Sequence, residues 1–469
     1  MYIKILFLLV LINTFVQASC ISKINIEFDF EKQNITVNSK IFDSQKSVQL
    51  NYDGFKIKNI KKLEKLIQNG SNNIEFTYDK HINGLNGEYI SLLNHWYPFI
   101  LNGCKYNIST SLSKSYKTVY ENTKDKIDNV TFIASKQFKV TPKQYNNISI
   151  ETYFLSNNKE LSLRYLNKSI EYIKLYENLI GKFPYKKFRV VENVYSTGYS
   201  MPTYTLIGSR LLNKPYILNQ SLGHEILHQY FGNSVFNDFS KGNWVEGLTT
   251  HLADNYYKER SDKGVVHRKT ILNEYANLVK VKNEFPVSEF HHKFNKTSEL
   301  IGYSKLSFIF HMLENKISSY EFNKLIKKVY LQNRLKNISL EEVASFFDKN
   351  SKVDLKSFFD QWLYKKGMID FDIVNINNYY DKNGFWVSFD LKQKGDKFFK
   401  FDLPINIKTY DKQVNKSIAI TEKNQNIKLN FSSEILEVII DEKIDLFRKL
   451  SKNERLLSVS SMVNQKELI

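Results

Sequence analysis

The run Ser221-Leu222-Gly223-His224-Glu225-Ile226-Leu227-His228 holds two histidines four positions apart, with a glutamate directly after the first. On a helix, residues four apart share a face, so His224 and His228 can aim two neutral imidazoles at one Zn²⁺, one ion per chain. Glu225 projects about 100° around the helix from His224. That places it beside the cation rather than on it, the position of a general base acting on metal-bound water. A catalytic zinc keeps three protein ligands and one open position, so a third ligand must lie nearby. Glu246 is the favoured candidate. The seventeen residues 229–245 between it and His228 let one helix end, a loop turn back and a second helix return beside the first. His251 and Asp254 are rivals on the same segment, although His251, five residues on, faces elsewhere.

The elements that must position these groups can be read from hydrophobic period. Residues 216–232 are helical and stop at Gly232-Asn233, and a second helix is expected over about 243–259. Upstream, from Ile24 to about Ser156, apolar and polar residues alternate (INIEFDF, SVQLNY, NNIEFTY, NVTFIA), which predicts strands. The period changes near residue 159, where Leu163, Leu166, Ile170, Ile173, Leu175 and Leu179 recur at helical spacing before Gly181 and Pro184. KKFRVVEN then reads as a strand, and further helical patterns run to Trp362 and close at Gly367. Beyond residue 370, GFWVSFDL, FDLPINIKTY, IKLNF and ILEVIID read as strands of a β-sandwich-like domain. The fold class expected is multidomain α+β. It comprises an N-terminal β domain over 20–156, a catalytic and helical domain over 157–369 and a C-terminal β domain over 370–469.

Whole-chain properties narrow the partners. With 469 residues, 42% of them apolar, the chain can bury a large core. Its formal charge of +18 comes from scattered lysines rather than a basic stripe, and no nucleic-acid motif accompanies them. The excess reads as solvated surface, and no nucleic acid is expected as partner. Residues 1–19 have Lys4, an apolar run from Ile5 to Ile12 and small residues Ala18 and Ser19, the layout of a secretory signal peptide. An exported protein, periplasmic or secreted, is therefore expected. Of the two cysteines, Cys20 and Cys104, neither looks catalytic. They pair as a disulfide, or Cys20 is instead the lipid-modified first residue of a membrane-anchored lipoprotein. Membrane association is expected only in that second case. Oligomeric state is not legible.

The run GHEILHQYFGNSVFNDFSKGNWVEGLTTHLAD, residues 223–254, resembles the M1 family of zinc aminopeptidases, a branch of the gluzincins. The family pattern is H-E-x-x-H, eighteen residues, then Glu; this chain has one residue fewer, read as a loop deletion. HWYPFI resembles the family's N-terminal β domain. GYSKLSFIFHML, residues 302–313, resembles the segment supplying the family's catalytic tyrosine, here Tyr303. FFDQWLYKKG, residues 358–367, resembles the end of the helical region. The resemblance implies a thermolysin-like catalytic domain, peptide substrates, and Tyr303 hydrogen-bonding a developing oxyanion; among 29 tyrosines nothing else singles Tyr303 out. It also implies that Gly198, Tyr199 and Met201 bind substrate. Family aminopeptidases carry G-x-M-E-N there, with the glutamate holding the substrate's free amino group. This chain reads Ser196-Thr197-Gly198-Tyr199-Ser200-Met201-Pro202-Thr203-Tyr204, with no Asp or Glu between Glu192 and His224. Three readings are open: an aminopeptidase, a zinc peptidase of the same fold without a strict need for a free N-terminus, or an inactive zinc-holding module. Retention of Glu225 and Tyr303 argues against the last.

Overall fold

The computed structural model describes residues 20–42, 50–51, 54–61, 73–93, 96–100, 104–120, 127, 130–195, 198–396 and 398–455. The expected signal peptide over 1–19, His95 and the pair Ser196-Thr197 lie outside the described residues. The chain divides into two compact units, 1–138 and 139–469.

In the first unit the alternation becomes a five-stranded sheet. Its spatial order is Ile57–Lys61, Asn73–His81, Asn34–Phe42, Ile21–Asp29, Lys105–Thr110. All neighbours are antiparallel except the last pair. The period of two puts Ile24, Ile26, Val37, Ile41, Phe76 and Tyr78 on one buried face. A smaller sheet orders Tyr89–Leu92, Phe132–Ser135 and Lys117–Tyr120. Trp96 is buried and donates its indole N–H to Val130 O at 2.8 Å. Tyr97 Oη joins the hydroxyls of Ser22 and Ser39. Cys20 and Cys104 are disulfide-bonded.

The second unit begins earlier than the sequence pattern suggests. Lys139–Tyr145 and Ile148–Phe154 fall within the expected N-terminal domain, yet they form a mixed sheet with Lys187–Asn193, Tyr204–Gly208 and Gly198–Met201, in that order. A period of two says that a segment is a strand but not which sheet receives it. The helix Lys159–Leu179 supplies the crossover between the parallel strands Ile148–Phe154 and Lys187–Asn193. It lays Leu161, Tyr165, Leu166, Ile173 and Tyr176 onto the core. Gly198–Met201 is the last strand of the sheet, paired on one side only.

Helices fill 217–227, 244–259 and 264–278 and most of 296–364. The C-terminal strands form two three-stranded antiparallel sheets, Phe371–Asp381, Gly384–Gln393, Asn424–Phe431 and Gln413–Ile420, Phe401–Thr409, Ile435–Ile440. They do not stand apart as the separate domain expected over 370–469. The chain returns from them to the helices: Phe447 packs edge-on against Tyr275 with ring centroids 4.8 Å apart, and its carbonyl accepts Ile369 N–H. One continuous apolar core results. Among the described residues no helix is long and apolar enough to cross a membrane.

The disulfide closes a loop spanning 84 residues, which removes freedom from the unfolded chain. Cys104→Ser is expected to cost roughly 2–5 kcal/mol. Thermal denaturation with and without reductant checks this: reductant should lower the melting temperature of the natural chain and leave the variant's unchanged.

Candidate metal centre

The first helix of the site, Leu222–Leu227, is preceded by a π-helical turn, Ile217–Ser221, and ends in tightened turns at His228 to Phe231. Leu222, Ile226 and Leu227 are buried on its core side, which leaves His224, Glu225 and His228 on the cleft side. The second helix starts at Trp244, capped by Asn243, whose side chain accepts Val245 N–H at 3.1 Å. That cap sets Glu246 in the first turn, within reach of both imidazoles. The chain then turns π-helical over Thr250–Asn255.

The structure brings together the expected ligand set, with one ligand atom from each of His224, His228 and Glu246 lying within 4.8 Å of the others. The two Nε2 atoms are 3.1 Å apart, and Glu246 Oε2 lies 3.4 Å from His228 Nε2 and 3.8 Å from His224 Nε2. Tetrahedral ligands about 2.0–2.1 Å from a centre are ~3.3 Å from one another, so the spacing fits.

The remaining ring nitrogens fix the protonation. His228 Nδ1 is 3.2 Å from Phe231 O; a carbonyl only accepts, so Nδ1 bears the hydrogen and the neutral ring turns a lone pair at Nε2 into the site. His224 Nδ1 is 2.9 Å from Asp254 Oδ2, and an ionised carboxylate imposes the same tautomer. With both rings neutral, two lone pairs and a carboxylate oxygen converge, an arrangement that calls for a cation. The electrostatics show a site that attracts positive charge, for which a proton competes with a metal ion. Burial works against charge on His224, yet Asp254, then Glu246 and Glu225, outweigh it and hold its pKa well above the ordinary imidazole value. Burial likewise disfavours ionised Glu246, and the two histidines overcome it, so that its pKa falls.

Glu225 lies alongside. Burial raises its pKa, with His228 and His224 pulling the other way and Glu246 and Asp254 adding to the rise. A carboxylate so raised is a better proton acceptor. Tyr303 occupies a third π-helical turn, Leu300–Lys305. Burial raises its phenol pKa first and the carboxylate of Glu246 second, so the hydroxyl stays protonated beside the cluster and is a standing hydrogen-bond donor.

Two glycines let these segments close on each other. Gly247 follows Glu246, and a Cβ there would collide with Leu306, on the helix that continues from Tyr303. Gly302 precedes Tyr303, and a Cβ there would strike Phe290, whose ring packs edge-on against that of Tyr303 at 6.0 Å. Only hydrogen fits at both positions.

The three residues expected to bind substrate share the edge strand but differ in surroundings. Gly198 lies against Glu225, a Cβ there falling 3.9 Å from Oε1. Tyr199 is exposed. Met201 turns its carbonyl to Gln229 Nε2 at 3.0 Å, so that carbonyl is already engaged. Of the rival ligands, His251 pairs with Glu314 at 2.8 Å, and Asp254 orients His224 instead of joining the cluster. Its carboxylate also accepts Gln220 Nε2 at 3.1 Å. The spacing from Glu246 hides this role. Eight residues on a regular α-helix reach about 80° around, but a π-helical turn absorbs one residue, and seven steps return to within about 20° of the Glu246 face.

Residues 218–362 match the family model described as Peptidase family M1 domain. The chain is similar to "Aminopeptidase 2, mitochondrial" of Saccharomyces cerevisiae, 22% identical over 367 residues that cover 71% of this chain and 38% of that protein. It is also similar to "Leucine aminopeptidase 2" of Coccidioides immitis, 29% identical over 195 residues that cover 36% of this chain and 30% of the relative. The chain thus spans well under half the length of each.

Asp254→Asn keeps the shape but removes the charge that orients His224. Metal affinity, read by competition with a chromogenic chelator, is expected to fall about 10–100-fold.

Proposed function

We propose that this chain, which carries a peptidase family M1 domain, is a zinc-dependent peptidase. The observation that carries the reading is the convergence of His224 Nε2, His228 Nε2 and Glu246 Oε2 on one point, with Glu225 beside it. His224, His228 and Glu246 would hold the zinc ion, which would supply Lewis acidity and make a water molecule more acidic. Glu225 takes the proton of the attacking water and returns it to the leaving amine. Tyr303, kept protonated by its surroundings, donates a hydrogen bond to the developing oxyanion. The mixed sheet with the helices that come after it supports a thermolysin-like layout for the catalytic part.

A second observation refines the substrate. The edge strand and its flanks hold no acidic residue between Glu192 and His224. On the tyrosine side, Glu299 is already paired with Lys293 at 2.7 Å and Lys296 at 2.9 Å. A charge-assisted anchor for a substrate ammonium is therefore missing from the strand. The reading favoured is a peptidase that binds extended peptides through their backbones and does not require a free N-terminus. Gly198, Tyr199 and Met201 lie along the strand that would receive them. A disulfide at the start of the mature chain suits an oxidising compartment. It supports export to a periplasm or the exterior.

Glu225→Gln is expected to keep zinc at the natural stoichiometry and to lower peptide turnover about 10²–10⁴-fold; near-normal cleavage with zinc bound removes Glu225 from the base role. A peptide and its N-acetylated twin are expected to be cleaved with kcat/KM within about threefold of each other, since an ionic anchor would separate them by more than ~1.4 kcal/mol. Cleavage of the free-amine peptide alone would restore the strict aminopeptidase.

A further inference from the structure

We infer that Gln229 and Ser200 are positioning residues that latch the edge strand Gly198–Met201 onto the helix carrying Glu225, and thereby set the register in which an extended peptide is added to that strand. This rests on the peptidase reading above.

Gln229 is the residue after the second histidine of the motif, yet it points away from the cluster and is fully buried. Its amide is fully occupied by one hairpin. Oε1 accepts Thr203 N–H at 2.7 Å, and Nε2 donates to Ser200 Oγ at 2.8 Å and to Met201 O at 3.0 Å. Ser200 completes the junction: its hydroxyl donates to the backbone carbonyl of Glu225 at 2.9 Å and accepts Asn233 Nδ2 at 3.1 Å. That carbonyl is a leftover of the helix end, because Gln229 N–H bonds to Ile226 O at 3.0 Å rather than to Glu225 O. The hairpin thus satisfies an orphan acceptor on the very residue assigned as base.

The turn it holds is not one the chain adopts freely. Thr203 sits at φ +72°, a left-handed conformation that a β-branched residue rarely takes. Gln229 from one side and the Arg189 guanidinium on its Oγ1 from the other hold it there. Burying an amide this deeply is unfavourable unless every polar atom is bonded. Removing the amide leaves a buried N–H and a carbonyl of the hairpin without their partner. A strand paired on one side only, held by so few bonds, is then free to shift against the helix. A shift of one residue would exchange which side chains face the cleft. Gly198, at the far end of the strand, lies against the carboxylate of Glu225. A peptide added along Gly198–Met201 therefore runs past the base only in the latched register.

A purely structural amide would affect all substrates alike. A register-setting one matters in proportion to how much of the substrate lies on the strand. The test uses the full chain, natural and as Gln229→Met and Ser200→Ala, with fluorogenic substrates of two and six residues that share one scissile bond. Zinc content and melting temperature are measured on the same samples, and Ser200→Ala, a small change at a half-buried site, serves if Gln229→Met does not fold. Zinc content is expected to be unchanged. The six-residue substrate is expected to lose about tenfold more kcat/KM than the two-residue one, chiefly through KM. Equal losses on both lengths, or no loss, with zinc bound, overturn the latch. Absence of cleavage by the natural chain overturns the peptidase reading and the latch with it.

Discussion

Two imidazole lone pairs and a carboxylate oxygen, each held by its own rigid element, repel one another unless positive charge lies among them. Much of the second unit is built around that constraint. The lone pairs are forced inward because the opposite ring nitrogens are committed, one to the Phe231 carbonyl and one to Asp254. With Glu225 and Glu246 included, three carboxylates surround the two rings. The raised proton affinity of His224 expresses the pull of the surrounding carboxylates, and the depressed one of Glu246 the pull of the two histidines. A divalent cation answers this arrangement better than a proton, because it satisfies all three ligand atoms at once.

Holding such a cluster requires helices closer than ordinary side chains allow, in a phase that regular helices do not give. Glycine solves the first problem at Gly247 and Gly302, where the segments bearing Glu246 and Tyr303 meet Leu306 and Phe290 without an intervening Cβ. The π-helical turns solve the second. Each of the three found among the described residues adjoins or contains a site segment: Ile217–Ser221 before His224, Thr250–Asn255 after Glu246, and Leu300–Lys305 around Tyr303. An extra residue in a turn rotates the downstream part of the helix, which is how Asp254 comes back to the His224 side.

How much of the site is legible in the sequence depends on the range of the interactions. His224, Glu225 and His228 are legible because four residues on one helix fix their geometry locally, and Glu246 because a short loop between two helices leaves few alternatives. Asp254 reads only as a rival ligand, since its true role depends on a π-helical turn that leaves no mark in hydrophobic period. Gln229 and Ser200 give no sequence signal, because their partners lie on a hairpin that no local pattern docks onto the helix. Tyr303 emerges from family resemblance alone. The strands Lys139–Tyr145 and Ile148–Phe154 are recognisable as strands, but their pattern assigns them to the wrong sheet. Alternation encodes two faces but not the neighbour, and here the neighbour is set by the crossover helix Lys159–Leu179.

The charge inventory of the cleft also bears on what the edge strand can recognise. Glu225 and Glu246 are occupied with the cluster, and Glu299 is neutralised by two lysines. Along Gly198–Met201 the groups left to a substrate are backbone N–H and C=O on the unpaired edge, together with the exposed ring of Tyr199. Such groups read the extended shape of a peptide and not the charge at its end. Recognition through an edge tolerates many sequences, and its accuracy depends on how firmly the edge is placed. On the proposed reading, a site without an ionic anchor would leave the placing of the scissile bond beside Glu225 to whatever holds the strand, and the buried amide of Gln229 and the hydroxyl of Ser200 are what hold it.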